Sequence, residues 1–235
     1  MSESDEQKSK LVNHEYMLYD PPSNPETENA LDQLRGIITK DAAYSNLRVH
    51  SVRKDYSLEL LVQFYNEQMI PHFPLEDERD SLEDWIYCLD PEQVALYDDE
   101  AKQGPLMDIL LLVCSCNPES EGKESSISPI ILAGVAFEYY QKAECGLISY
   151  VTVNPSFRRR GIMKQLHPLA IQALKFLHIH CHYTRNGCIP DNEIRAIFAE
   201  TNTIEAGDAS KEEITSRHQA LFGLGYRLID FPYVQ

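Results

Sequence analysis

The residues whose types and spacing most clearly suggest chemistry form a basic turn, Arg158, Arg159 and Arg160 followed by Gly161. A predicted strand, 147–153, precedes the turn, and a predicted helix begins at Gly161. The first N–H groups of a helix have no partner within the helix, and the helix dipole gives them partial positive charge. A glycine at that point lets an anion approach the backbone closely. The turn therefore predicts a binding site for a phosphate or pyrophosphate group.

Two other interpretations of the turn remain open. A run of arginines after a strand also occurs in ordinary solvated turns, and it can bind an acidic partner. The preceding strand, Pro155 and a long amphipathic helix with apolar residues from Leu166 to Leu177 favour the phosphate site.

The strand end Val153-x-Pro155 and the turn Arg158-x-x-Gly161 together resemble motif A of the GNAT superfamily of acyl-CoA N-acyltransferases. In that family the turn binds the pyrophosphate of acetyl-CoA, and the strand before it pairs with the pantetheine arm. The resemblance implies acetyl-CoA as a co-substrate and no metal. It places CoA contacts at the strand end, the turn and the helix start: Val151, Thr152, Val153, Arg158, Arg159, Arg160, Gly161, Ile162 and Met163. From its position after the next strand, Asn202 is a further candidate, which either bonds the pantetheine arm or simply ends the strand.

Acyl transfer from a thioester to an amine requires a base for the amine, a donor for the oxyanion and a proton for the thiolate. In the family, the thioester lies in a gap between two strands, here 147–153 and 195–200. The resemblance makes backbone N–H groups near Val151 and Val153 the oxyanion donors. Glu200, at the end of the second strand, is a candidate base, and Tyr150 is a candidate O–H donor. Each has a structural alternative, a surface glutamate and a buried sheet tyrosine.

The sequence departs from the family at three positions. Met163 stands where the usual motif has Gly or Ala, Leu221 where many members have a tyrosine acid, and Leu147 where some have a glutamate base. On the strand predicted beside 147–153, residues 138–140 (Glu-Tyr-Tyr) border the acceptor side, although alternation turns only part of the set inward.

Two further clusters contain chemically active residue types. The segment His178-x-His180-Cys181-His182, with Cys188, has zinc-ligand types, but adjacent residues rarely converge on one ion, so we predict no metal. The acidic run 76–80, with Glu83 and Asp84, fits either a lip that attracts a cationic acceptor or a solvated helix face.

Composition limits the classes of function. The formal net charge is -16, with 37 acidic and 21 basic residues, so we expect no nucleic-acid partner. The sequence has no apolar run of about 18 residues and no signal peptide, and we expect no membrane association. Six cysteines lie largely in apolar stretches, which predicts reduced thiols and a cytoplasmic protein.

The elements that must position these residues alternate between strands and helices. We predict an N-terminal extension over 1–46, with one short helix over 26–39, and a domain over 47–235. The predicted strands cover 47–52, 107–116, 130–140, 145–153, 195–200 and 226–234, and the predicted helices cover 57–68, 78–89, 161–177 and 211–222. This order predicts an α/β fold with a mixed, mostly antiparallel central sheet flanked by helices.

The element order and the segment 221–227 (LFGLGYR) also resemble the GNAT family, across roughly 47–235. The resemblance implies an N-acetyltransferase in which an amine attacks the bound thioester directly in a ternary complex. A catalytically inactive CoA-binding regulatory protein and an interaction module that uses the patch Arg158–Arg160 are the alternatives. The acceptor, a small amine or a protein, stays open, as do the acyl length and the oligomeric state.

Overall fold

The computed structural model describes residues 25–38, 44–92, 104–116, 129–201 and 210–229. The helices in chain order are α1 (Pro25–Ile38), α2 (Leu58–Phe64), α3 (Ile70–His72), α4 (Leu82–Leu89), α5 (Ile162–Asn186) and α6 (Lys211–Gly223). The strands are β1 (Tyr44–Ser51), β2 (Leu106–Cys116), β3 (Ile130–Tyr140), β4 (Cys145–Val153) and β5 (Ala196–Ala199). A π-helical turn (Tyr65–Met69) joins α2 to α3.

The five strands form one mixed sheet in the order β1-β2-β3-β4-β5. The first three pairs are antiparallel, and β4 pairs with β5 in parallel. β2 is buried on both faces from Ile109 to Val113, as its nearly continuous apolar sequence predicts for a central strand. The prediction of an α/β fold with a mixed, mostly antiparallel sheet is confirmed.

Helices cover both faces of the sheet. On one face, α5 packs its apolar stripe against the sheet, with Leu166 and Leu174 fully buried. On the other face, α2 and α4 contribute Phe64 and Trp85, whose rings stack 6.0 Å apart. The sheet therefore lies between two apolar clusters, one on each face.

α1 belongs to the first of these cores. Its side chains Ala30, Leu31, Leu34 and Ile38 are buried in the same cluster as those of α5. Residues 25–38 therefore pack on the domain, a point that the sequence left open.

Several element ends differ from the sequence prediction for local reasons. α4 begins at Leu82 and not at 78, because Ser81 caps it in a reciprocal capping box with Asp84. α5 continues to Asn186, past its predicted end at 177, and ends where Gly187 adopts a left-handed conformation at the C-cap. β1 begins three residues earlier than predicted, at Tyr44.

The predicted last strand, 226–234, is not found where the structure can test it. Residues 226–229 follow α6 without strand structure, and Leu228 and Ile229 are exposed. The hydroxyl of Tyr226 lies 3.0 Å from Nε2 of His167 on α5, which holds this segment against the helix. Residues 230–234 lie outside the described residues.

None of the helices in the described residues is both long and apolar enough to cross a bilayer.

Candidate functional site

The site is built around a bulge in β4 at Ser149. Phe137 of β3 lies opposite Ile148 and Ala136 lies opposite Tyr150, so Ser149 is the extra residue. A bulge disrupts the ladder, bends its strand and re-aims the side chains beside it. Here it turns Tyr150 towards the α2–α4 face of the sheet, while Ile148 packs on the α5 face.

Pairing between β4 and β5 ends at this bulge. The last parallel pair is Ile148 with Ala199. Within the described residues, the remainder of β4 has no neighbouring strand on that side, and Val151 is 39% exposed. Among the residues that the structure describes, the edge of β4 from 149 to 153 is therefore accessible to a ligand.

The open edge presents backbone groups at alternate residues. The N–H of Asn154 donates to Leu132 O of β3 at 2.9 Å, and Thr152 is paired with Gly134. Because residues of an antiparallel strand face its neighbour alternately, Val151 and Val153 direct their N–H and C=O groups into the gap. The Thr152 side chain is buried, and its hydroxyl has no partner among the described residues.

The basic turn joins the open edge to α5. Asn154 caps a short 3-10 turn by accepting from the N–H of Ser156 at 3.1 Å, and Phe157 anchors the turn in the core. Arg159 and Gly161 then adopt left-handed conformations, with φ of 62° and 78°. A Cβ at Gly161 would meet nothing within 4 Å, so the glycine serves the conformation and open access, and not packing.

The start of α5 fits an anion. Its N-cap residue is glycine, so no side chain of that residue occupies the first N–H groups. The helix has 25 residues, and its dipole adds positive charge at this end. Ile162 and Met163 pack their side chains against the α5-side core. Met163, which differs from the Gly or Ala of the GNAT motif, is therefore accommodated in the core.

The three arginines of the turn have different roles. Arg158 donates from Nε to Val153 O at 3.2 Å and from Nη2 to His72 Nε2 at 2.6 Å. His72 lies 2.6 Å from Gln68 O through Nδ1, so Nδ1 carries the hydrogen and Nε2 accepts from the arginine. Arg160 lies over the Phe157 ring at 5.1 Å, and Arg159 is exposed. Arg158 thus links the turn to α3, a contact that the sequence did not indicate.

Tyr150 is tied to the loop between α3 and α4. Its hydroxyl accepts from the N–H of Asp80 at 3.0 Å, and its ring packs edge-on against Phe73 and Trp85. Asp80 is further held by Tyr65, which donates to its carbonyl, and by Trp85, which donates to its carboxylate. Burial raises the pKa of Tyr150 to about 12, so this group remains a protonated donor at neutral pH.

Beside the bulge, Glu138 bridges two hydroxyl groups. Ser149 donates from Oγ to Oε1 at 2.9 Å, and Tyr140 donates to Oε2 at 2.7 Å. Glu138 shares the α2–α4 face of the sheet with Tyr150, since it pairs with Leu147 and Tyr150 pairs with Ala136. Of the set 138–140, Glu138 and Tyr140 lie on the α2–α4 face, while Tyr139 is buried on the other face with its hydroxyl 2.7 Å from His178 Nδ1.

Glu200 directly follows β5 and is exposed. Burial raises the pKa of Tyr140, and the carboxylates of Glu138, Glu200 and Asp80 raise it further. Asn202, the remaining predicted CoA contact, lies outside the described residues.

The residues considered for zinc have other partners. His178 Nε2 lies 2.9 Å from Asn192 O, and His182 Nδ1 lies 3.1 Å from Cys188 O. Cys181 is a buried free thiol whose pKa burial raises to about 11. Among the described residues, no group of three or more His, Cys, Asp or Glu side chains could hold a metal ion.

Ser149 and His72 escaped the sequence analysis. The sequence gives only a weak indication of the bulge. Ile148 and Val153 are five residues apart and face the same core, whereas a regular strand places residues at an odd separation on opposite faces. Leu147 hides this irregularity, because it stands next to Ile148 and makes the apolar residues of the strand appear continuous.

Comparisons of the chain with protein-family models, curated proteins and solved structures find no match. The geometry of the gap and the turn is thus the basis for assigning a function.

Proposed function

We propose that this protein is an N-acyltransferase of the GNAT type, which transfers the acetyl group of acetyl-CoA to a primary amine. The observation that carries the proposal is the path of β4. The strand separates from β5 at Ser149, exposes one edge, and runs within a few residues into the anion-binding start of α5. A ligand with a peptide-like arm and a pyrophosphate fits both parts of this path.

Acetyl-CoA has these features in the required order. The amide groups of its pantetheine arm suit the N–H and C=O groups of Val151 and the N–H of Val153, as a peptide does when it extends a sheet edge, whereas the C=O of Val153 is already held by Arg158. Its pyrophosphate suits the first N–H groups of α5, with Arg159 and Arg160 beside them. The strand order with one parallel pair, β4–β5, further supports the finer GNAT assignment of the fold.

The groups around the gap suit direct transfer. An N–H of the open β4 edge near Val151 can stabilise the oxyanion that forms at the thioester carbonyl. Tyr150 is a protonated hydroxyl beside the same edge, Glu138 accepts from Ser149 at the bulge, and Glu200 is an exposed carboxylate directly after β5. An amine that attacks there needs no covalent enzyme intermediate. From cysteine usage we also propose a cytoplasmic setting.

The proposal is tested by thiol release from acetyl-CoA in the presence of spermidine, a lysine peptide and a peptide with a free α-amino group. Release that depends on one of these amines, together with a product heavier by one acetyl group, is the expected result. Acetyl-CoA binding without release from any amine favours the inactive CoA-binding protein. Absence of both binding and release contradicts the proposal and leaves the Arg158–Arg160 patch as the interaction candidate.

A further inference from the structure

Glu138 is the carboxylate that the fold attaches to the bulge itself. Its Oε1 accepts from the Ser149 hydroxyl at 2.9 Å and its Oε2 from the Tyr140 hydroxyl at 2.7 Å. Ser149 is the residue at which β4 leaves β5. We infer that Glu138, acting through the Ser149 hydroxyl, accepts the proton that the acceptor amine must lose before it attacks. This inference rests on the proposed acyl transfer.

The position of the hydroxyl supports this role. A thioester carbonyl held by an N–H near Val151 lies close to Ser149 along the same strand edge. On the α2–α4 face, Glu138 is only half-buried and Tyr140 beside it is exposed, so among the described residues this end of the face is the side from which an acceptor can approach. A nucleophile that enters from this face meets the Ser149 hydroxyl before it reaches the carbonyl.

Glu138 is better placed for this than Glu200. It is half-buried, and both of its oxygens are held by hydroxyl groups, so its orientation is fixed before the substrate binds. Glu200 is exposed at the end of the short strand β5. Fixed donors and acceptors make proton transfer more efficient, since less rearrangement is needed in the transition state.

The charges around Glu138 favour an amine that arrives protonated. Burial raises the pKa of Cys88 on α4, and the carboxylates of Glu138, Asp84 and Asp80 raise it further, while the Arg53 guanidinium opposes them. Glu200 likewise contributes to the raised pKa of Tyr140, which bonds Glu138. The combined negative charge of these carboxylates attracts an ammonium group, which cannot attack until one proton is removed.

The protons and electrons then balance as follows. The ammonium gives one proton to Ser149 Oγ while the Ser149 proton moves to Glu138. The free lone pair forms the C–N bond to the acetyl carbon, and the C–S bond breaks with its electron pair on sulfur. The nitrogen passes its surplus proton to the sulfur, which gives CoA thiol and the amide, and Glu138 releases its proton to water.

The test compares Glu138→Gln with the charge-matched control Glu212→Gln, an exposed residue in the first turn of α6. With the amine that supports thiol release, Glu138→Gln is expected to lower kcat/KM at pH 7 by about 100-fold or more, while the affinity for acetyl-CoA is unchanged. The loss should diminish as the pH rises, because more of the amine is then already deprotonated. A merely structural role of Glu138 would not produce that recovery, and Glu212→Gln should match the wild type.

Wild-type kcat/KM in Glu138→Gln, or a loss seen in Glu200→Gln instead, overturns this inference while the acyltransferase stands. A wild-type protein that releases no thiol with any of the three amines overturns both. If Glu138→Gln does not fold, Ser149→Ala carries the test: undiminished turnover overturns the relay, and a loss that recovers at high pH supports it.

Discussion

Asp108 is a buried carboxylate at the end of the sheet that fastens the turn after β1 to β2. It accepts hydrogen bonds from the Ser51 hydroxyl at 2.7 Å and from the N–H groups of Arg53 at 2.9 Å and Ile109 at 2.7 Å. Burial nevertheless raises its pKa from 3.8 to about 6, because these bonds do not fully replace the lost solvation of the charge. The stability that Asp108 gives to this turn therefore depends on pH.

The sign of this dependence follows from proton linkage. Since the native pKa exceeds the unfolded value, the native state binds more protons between about pH 4 and about pH 6, and stability falls as the pH rises through that range. We predict that the free energy of unfolding of the wild type, relative to Asp108→Asn, drops by about 2 kcal/mol between pH 4 and pH 7. Urea unfolding of both proteins across this range measures it. A difference that is constant with pH contradicts the assignment.

Residue types and spacing predicted the basic turn because the residues that form it are neighbours in the sequence. A helix start that must admit an anion needs Gly161, and the arginines follow in sequence. The contact of Arg158 with His72 spans 86 residues and depends on how α3 packs against the end of β4. The bridge from Glu138 to Ser149 depends on a bulge. Such contacts arise from tertiary packing, and one sequence carries little sign of them.

At the scale of elements, the gap between β4 and β5 exists because one extra residue interrupts the ladder. Deleting Ser149 removes the bulge without changing the faces of its neighbours, since Ile148 already lies opposite Phe137 and Tyr150 opposite Ala136. We predict that the deletion lets β4 continue beside β5 and lowers the affinity for acetyl-CoA at least about tenfold, or about 1.4 kcal/mol. Titration calorimetry measures this affinity.

Ser149→Ala is the matched control for the deletion, because it keeps the bulge and removes the hydroxyl. Its affinity for acetyl-CoA should equal that of the wild type. Equal affinities for the deletion and the wild type would show that the bulge is not what opens the edge.

Elements with a strong period were predictable, and their ends were less so. Long apolar runs between polar turns located β2, β3 and β4, and the three- and four-residue spacing of apolar side chains located α5. The start of α4 depends on whether Ser81 or an earlier residue caps the helix, and the end of α5 on Gly187. Several residues compete for each of these caps in the sequence.

At the scale of the whole molecule, α1 closes the α5-side core. Leu34 of α1 is fully buried in the cluster that also contains Leu174 of α5 and Leu112 of β2. We predict that Leu34→Ala lowers the free energy of unfolding by about 3 kcal/mol, the usual cost of a cavity in a core. Urea unfolding at constant pH checks this value.

The neighbouring Gln33→Ala is the control, because Gln33 is exposed on the same helix, and its effect should stay within about 0.5 kcal/mol. If Leu34→Ala were as mild as Gln33→Ala, α1 would not be part of the core. The polar sequence around α1 suggested an extension, because the few apolar residues of α1 are buried only where α5 packs against them.

The central claim is that the start of α5 binds the pyrophosphate of acetyl-CoA, and the most direct test is calorimetric titration of two glycine variants. Gly161 and Gly187 both have left-handed conformations, at opposite ends of α5, with no atom near an added Cβ. Gly161→Glu and Gly187→Glu therefore impose similar backbone strain, but only the first places bulk and negative charge at the proposed phosphate site. We predict that wild type and Gly187→Glu bind acetyl-CoA with Kd at about 1 μM, or about 8 kcal/mol, and that Gly161→Glu does not bind. Equal binding by the two variants, or no wild-type binding at millimolar ligand, would contradict the claim.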